Sequence, residues 1–269
     1  MEEKALRLSA VFLMILTAVS FVLLPKLPAL HTWEVEAREE RIAEEEFAQS
    51  QVTMQNLKIK EQNEAAGAKG ELSIRLPEGV TGDQIAVSND YVTQTIRVEI
   101  PQADRTYFDS YPVLGKSDYI DGLSYTRQGE MGVIEVTTNK VYELQTEYDA
   151  QNFYFNFLTP HEVYDKVVVI DAGHGGRAVG ANKQGINEKD IDLAIVLKLK
   201  EIFDNSDQNI GVYYTRTDDS NPTFDQRVQL ANKSDADLFI SIHNNSTRSG
   251  RMSGTSGTQV MYDETSEAS

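Results

Sequence analysis

The chain contains no cysteine. That excludes disulfides, thiolate zinc sites and iron–sulfur clusters, so any metal must be held by histidine, aspartate or glutamate. Histidine is scarce too, with only His31, His161, His174 and His243. Positive charge is also short: 25 Lys and Arg stand against 42 Asp and Glu, a formal net charge of −17. A nucleic-acid partner needs a basic face, and binding to an anionic membrane surface needs basic charge. Neither is expected here. Long apolar runs are missing except at the start, where "LSAVFLMILTAVSFVLLP", residues 8–25, follows Lys4 and Arg7 and carries no charge. At ~1.5 Å rise per residue it reaches roughly 27 Å, close to the thickness of a hydrocarbon core. An uncleaved membrane anchor is the leading reading of residues 1–30. A cleaved signal segment is the second, although "KLPALHTW" offers no convincing small-residue cleavage site. Either places the remainder outside the cytoplasm, membrane-anchored or secreted.

The length, 269 residues, suits about two domains. Residues 31–70 read as an acidic helical stalk and linker. From Trp33 to Glu64 there is no Gly or Pro, and Ile42, Phe47, Val52, Leu57 and Ile59 do not keep a coiled-coil spacing. "AAGAKG", residues 65–70, reads as the linker itself. Residues 71–160 change to period two. In "TQTIRVEIP" Ile96, Val98 and Ile100 alternate with Thr95, Arg97 and Glu99, and Phe153, Phe155 and Phe157 share one face of "NFYFNF". "GVIEVTT" and "VYELQTEY" are further strands, with "EGVTGD" and "SND" as turns. A small β domain, a sandwich, is expected, with no cluster of catalytic residue types. The domain and the stalk are the parts available to an envelope protein partner.

Strands alternate with helices from about residue 161 to the end, which predicts an α/β domain with a central sheet flanked by helices. "KVVVI", "VYYTR", "DLFISIH" and "GTQVMY" are its four expected strands. Glu188–Phe203 is an expected helix with Asn187 as N-cap and Ile191, Ile195, Val196, Leu199 and Ile202 on its inner side. "TFDQRVQLAN" opens another, with Thr223 and Gln226 spaced as a capping box.

The first of these strands runs into glycine: "VVVIDAGHGG", Val167 to Gly176. Gly173, Gly175 and Ala178 match a dinucleotide-binding spacing, and Asp190 and Asp192 lie near its acidic position. In such a site, however, the helix must open within the glycines, and here "RAVGANKQGIN" intervenes. A metal reading suits the residues better. His174 and His243 each end a strand, at the rim where open α/β sheets bind ligands. Glu188 opens a helix that can face the same rim. Two histidines and a carboxylate form the donor set of a catalytic zinc site that keeps a fourth position for water. Glycine next to them would allow a sharp turn and leave room for a substrate chain. Asp171 could accept a hydrogen bond that fixes the imidazole or the turn.

At these residues the chain resembles the zinc-dependent N-acetylmuramoyl-L-alanine amidases of the type 3 family. "VVVIDAGHGG", "GINEKDIDLAI", "YYTRTDD", "RVQLANKSDADLFISIHNNS" and "GTQVMY" follow one another as the family's motifs do, from about Lys166 onward. The resemblance implies that His174, Glu188 and His243 ligate Zn2+. It also implies that the substrate is peptidoglycan, cut at the amide between N-acetylmuramic acid and L-alanine by zinc-activated water. The β domain resembles the AMIN-type domains that precede some cell-wall amidases. Two departures stand out. Ala178 and Val179 occupy positions where the family commonly has Asp then Pro. The family's general-base glutamate, near the end of its domain, has no counterpart, because Glu264 and Glu267 sit where the next loop and helix would begin. The expectation is a fragment of the catalytic domain, with little or no amidase activity of its own. A non-catalytic envelope protein that binds wall or regulates an amidase is the alternative, and a zinc carboxypeptidase acting on wall peptides is a third reading.

Overall fold

The structure is a computed structural model that describes residues 37–44, 55–61, 70–245, 254 and 257–262. The apolar run 8–25 and the linker 65–69 lie outside them. Among the described residues no helix is long and apolar enough to cross a membrane.

Two five-stranded sheets form a β sandwich. The first holds β1 (Gln55–Asn56), β7 (Ile120–Gln128), β8 (Met131–Thr138), β5 (Thr95–Pro101) and β4 (Ala86–Asp90), in that order. The second holds β2 (Lys60–Glu61), β6 (Leu114–Gly115), β3 (Leu72–Arg75), β10 (Asn152–Leu158) and β9 (Glu143–Tyr148). The period-two pattern decides which side chains face inward. Ile96, Val98 and Ile100 of β5 meet Ile134 and Val136 of β8 in one core with Leu72, Ile74, Phe153, Phe155 and Phe157 of the opposite sheet. A short helix, α1 (Arg105–Ser110), closes one end and sets Phe108 into this core.

Two expectations are corrected here. "SND" is not a turn: Ser88, Asn89 and Asp90 pair with Arg97, Ile96 and Thr95, and the chain reverses over residues 91–94. Nor does the acidic segment continue as a helical stalk. Residues 37–44 are helical, but Gln55–Asn56 joins β7 and Lys60–Glu61 joins β6. Leu57 and Ile59 pack against the sandwich core. Their spacing of two, in "NLKIK", is strand periodicity, and it outweighs the helix-favouring composition around it.

A short helix, α2 (Pro160–Val163), carries a Thr159/Glu162 capping box and leads into the α/β domain. There β11 (Lys166–Ala172) lies between β14 (Ile210–Tyr214) and β15 (Leu238–Ile242), both parallel to it. A two-stranded hairpin, β12 (Asn182–Lys183) with β13 (Ile186–Asn187), precedes α3 (Glu188–Asp204). Helix α4 (Phe224–Lys233) connects β14 to β15 and has the expected capping box of Thr223 and Gln226. The unbroken apolar run of β11 follows from cover on both faces. Val167 and Val169 pack with Leu230 of α4, whereas Ile170 and Ala172 pack with Val196 of α3.

Helix α3 packs Val196 and Leu199 inward as expected, but its inner face is rotated away from the three isoleucines. Glu188, Lys189, Asp192 and Val196 are its buried residues, with Leu199 and Phe203 packed alongside, while Ile191, Ile195 and Ile202 are exposed. Asn187 is the N-cap, but its amide donates to Asp190 rather than capping a backbone N–H. Among the described residues the sheet has three strands, not four. Residues 257–262 form no strand, and Val260, Met261 and Tyr262 are exposed. Apolar composition alone does not make a strand without a ladder partner, and the outer edge of β15 carries no pairing among the described residues.

Candidate metal centre

Two strand ends and one helix start meet above the C-terminal edge of the small sheet. His174 follows β11, His243 follows β15, and Glu188 is the first residue of α3. Parallel pairing of β11 and β15 brings both histidines to the same rim, with Ala172 opposite Ile242. The donor atoms then converge. His243 Nδ1 lies 3.1 Å from His174 Nε2, and Glu188 Oε1 lies 3.2 Å from His174 Nε2 and 3.3 Å from His243 Nδ1. A tetrahedral metal with ~2.0–2.1 Å bonds separates its ligands by roughly 3.3 Å. The triangle of donors therefore has the dimensions such an ion requires. Asp192, one helical turn after Glu188, has a ligand oxygen within the same cluster, in which all donor atoms lie within 4.8 Å of one another. Asp192 is fully buried, and its Oδ2 has no hydrogen-bond partner. A buried, unpartnered carboxylate oxygen beside three converging donors fits a cation far better than it fits an empty polar pocket.

Charge in the site is set by these contacts. Burial alone would raise the Glu188 carboxyl, but hydrogen bonds with His174 and His243 and from the Ala181 amide hold it well below the usual carboxylate range. Burial also opposes a charged His174, yet Glu188 and Glu39 on its two nitrogens push it up to about 9. Asp192 goes the other way. Burial raises it to about 6, against a lowering hydrogen bond from Asn244. Asn244 orients both carboxylates, with its backbone N–H on Glu188 Oε1 at 2.8 Å and its side-chain amide on Asp192 Oδ1 at 2.6 Å.

The glycines allow the sharp turn, as expected, and the room they leave is taken by the histidine rings. His174 itself adopts the left-handed backbone with φ 59°, and Gly175 (φ 139°), Gly176 (φ 50°) and Gly180 (φ 64°) also take positive φ in the loop that follows. A Cβ on Gly173 would lie 2.5 Å from Nδ1 of His243, and one on Gly180 would lie 2.6 Å from Cδ2 of His174. Their missing side chains are filled by the histidine rings, so they make room for the donor side chains themselves.

Asp171 does not touch the imidazole. Its Oδ1 accepts from Thr215 and Arg227, both at 2.6 Å, and its Oδ2 accepts from Ser241 at 2.6 Å. Those bonds tie the ends of β14, α4 and β15 to β11. Arg227 also donates to the carbonyl oxygen of His174 at 2.8 Å, so Asp171 acts on the turn through the guanidinium. Arg216 supports the same turn from the other side, donating to the carbonyls of Ala172, Gly173 and Lys189. Sequence reasoning missed Asp192 and both arginines. The four-residue spacing of Glu188 and Asp192 on one helix face was the available signal for the first. Glu264 and Glu267 lie outside the described residues.

Residues 168–269 match the family model Amidase_3, N-acetylmuramoyl-L-alanine amidase. Among its relatives is an endolysin of Bacillus phage SPP1, 45% identical over 86 residues, which are 32% of this chain and 31% of that protein. The N-acetylmuramoyl-L-alanine amidase CwlM of Bacillus licheniformis is 41% identical over 78 residues, 29% of this chain and 31% of the relative. The catalytic domain of CwlV, an N-acetylmuramoyl-L-alanine amidase from Bacillus (Paenibacillus) polymyxa var. colistinus, is similar over 31% of this chain and 47% of that one, with 41% identity and a TM-score of 0.30. The chain thus spans about a third of the length of these two curated relatives.

Proposed function

We propose that the α/β domain is the zinc-binding part of a peptidoglycan amidase, acting outside the cytoplasm on the bond between N-acetylmuramic acid and L-alanine. The observation that carries this reading is the triangle of His174 Nε2, His243 Nδ1 and Glu188 Oε1, with edges of 3.1–3.3 Å. Two imidazoles and a carboxylate are a hydrolytic zinc set, and the relatives named amidases share this segment. Bound there, zinc would supply Lewis acidity and lower the pKa of water to about 7. The chain's own residues do the rest. Glu188 brings negative charge, and the Asn244 amide keeps its Oε1 turned toward the histidines. Arg216 and Arg227 fix the carbonyls on either side of His174, so its ring is held in place before any ligand arrives. The apolar N-terminal run would anchor the protein to the membrane, and the sandwich would serve as an AMIN-like module for wall or envelope partners.

Zinc content measured by mass spectrometry on purified protein tests the site. His174→Ala and His243→Ala should each lose stoichiometric zinc while keeping the far-UV spectrum. Unchanged zinc in both would sink the assignment. The products released from purified peptidoglycan separate the reaction classes, because an amidase frees the amino group of L-alanine and a carboxypeptidase does not.

A further inference from the structure

The ring of His174 uses both of its nitrogens. Nε2 faces Glu188 and His243, and Nδ1 lies 2.8 Å from Oε2 of Glu39. Glu39 is 135 positions away, on the helical segment 37–44, outside the family-matched residues 168–269. Both side chains are shielded, His174 being 10% and Glu39 15% exposed. The segment that brings Glu39 is held at further points. Oε2 of Glu40 accepts the backbone N–H of Phe224, the first residue of α4, at 2.6 Å. A helix start has free N–H groups and a positive dipole end, so a carboxylate is favoured there. Arg177, in the loop after His174, donates to the carbonyl of Ile42 at 3.5 Å, and Ala43 is buried.

A histidine that gives a lone pair from Nε2 must carry its proton on Nδ1, and a carboxylate on that proton fixes the tautomer, aims the ring and makes the ligand more basic. We propose that Glu39 is a positioning residue for His174, so that the segment preceding the sandwich completes the metal site of the α/β domain. The proposal rests on the zinc reading above. It assigns part of the site to a region that the family segment does not contain. It also links docking of residues 37–44 to metal affinity: a bound ion favours the docked segment, and the docked segment favours the ion.

The test uses the full chain with Glu39→Ala, Glu39→Gln and His174→Ala, each checked for native far-UV signal. Zinc affinity is read by competition with a chromophoric chelator. Glu39→Ala should bind zinc about 10–100-fold more weakly than wild type, the usual cost of losing such a partner. Glu39→Gln keeps an acceptor oxygen without the charge, so it should fall between the two. In 15N-resolved imidazole spectra of the zinc-loaded protein, the Nδ1 proton of His174 should be visible in wild type and lost to exchange in Glu39→Ala. A zinc Kd for Glu39→Ala within twofold of wild type, with zinc lost in His174→Ala, would overturn the positioning role and leave the metal site standing. Zinc retained in His174→Ala would overturn the metal reading on which the proposal rests.

Discussion

Without metal, His174 sits between two carboxylates, and that fixes how its proton behaves. Its ordinary pKa of 6.5 is pushed up to about 9, because hydrogen bonds to Glu188 and Glu39 outweigh burial. A group whose folded pKa is raised stabilises the fold fully below its unfolded value and loses that contribution as pH climbs through the folded one. The contribution from His174 is therefore complete below about 6.5 and fades up to about 9. In chelator-treated protein, urea midpoints of wild type and His174→Gln should differ more at pH 6 than at pH 9.5. An equal gap at both would contradict the account. The Arg227–Asp171 pair makes a different demand. Both side chains are nearly sealed, at 6% and 5% exposure, with 2.6 Å between Nη1 and Oδ1. Arg227→Met strands a buried carboxylate, which costs about 3–5 kcal/mol. Urea unfolding of the variant should show that loss, and Asp171→Asn in the same background should recover part of it. A loss under ~1 kcal/mol would mean that the neighbouring hydroxyls of Thr215 and Ser241 suffice.

At the scale of elements, the site depends on where β11, α3 and β15 place their ends, and on two loops that stay out of the way. Gly180 lies where a methyl would press on His174 and Glu188, with φ +64°, whereas Gly185 has φ +82° and nothing within 4 Å. Both alanine variants carry left-handed strain of roughly 1 kcal/mol. Only Gly180→Ala should also weaken zinc binding, by tenfold or more in a competition titration, and equal affinities for the two variants would show that the crowding is harmless. The meeting of His174, Glu188 and His243 at one rim was legible in sequence because strand ends, helix starts and residue chemistry are local. The face of α3 was not. Ile191, Ile195 and Ile202 look like an inner stripe, yet Glu188 and Asp192 must face the rim, and on a helix their face continues through Val196 rather than through those isoleucines. Leu57 and Ile59 were misread because an acidic, Gln-rich neighbourhood suggests helix, while two apolar residues at a spacing of two are too few to assert a strand by themselves. Glu39 was invisible for a plainer reason: a contact across 135 residues leaves no local periodicity.

For the whole molecule, the sandwich and the α/β domain share a core. Val141, which leads into β9, packs with Val167, Val169, Tyr213 and Leu230, and Tyr91 and Val92 of the β4–β5 turn pack against them. Glu143 of β9 accepts from Tyr213 at 2.6 Å and from Tyr91 at 2.8 Å, and the two tyrosine rings meet edge to face at 4.9 Å. Burial and then Glu143 push both phenols up, so they remain hydrogen donors across the working pH range. An apolar seam with satisfied polar groups at its margin should couple the unfolding of the two domains. On the zinc reading proposed above, an ion bound only by the folded α/β domain would stabilise whatever unfolds with it, by about 2.7 kcal/mol at a hundredfold excess over Kd. Its effect should therefore reach the sandwich. In hydrogen exchange under native conditions, the slowest amides of β8 should slow further when zinc is added to wild type. Val141→Asp puts a charge into the shared core and should uncouple the two, leaving β8 exchange indifferent to zinc while the amides of β11 still respond. If β8 in wild type ignores zinc, the seam does not couple the domains, and each folds on its own account.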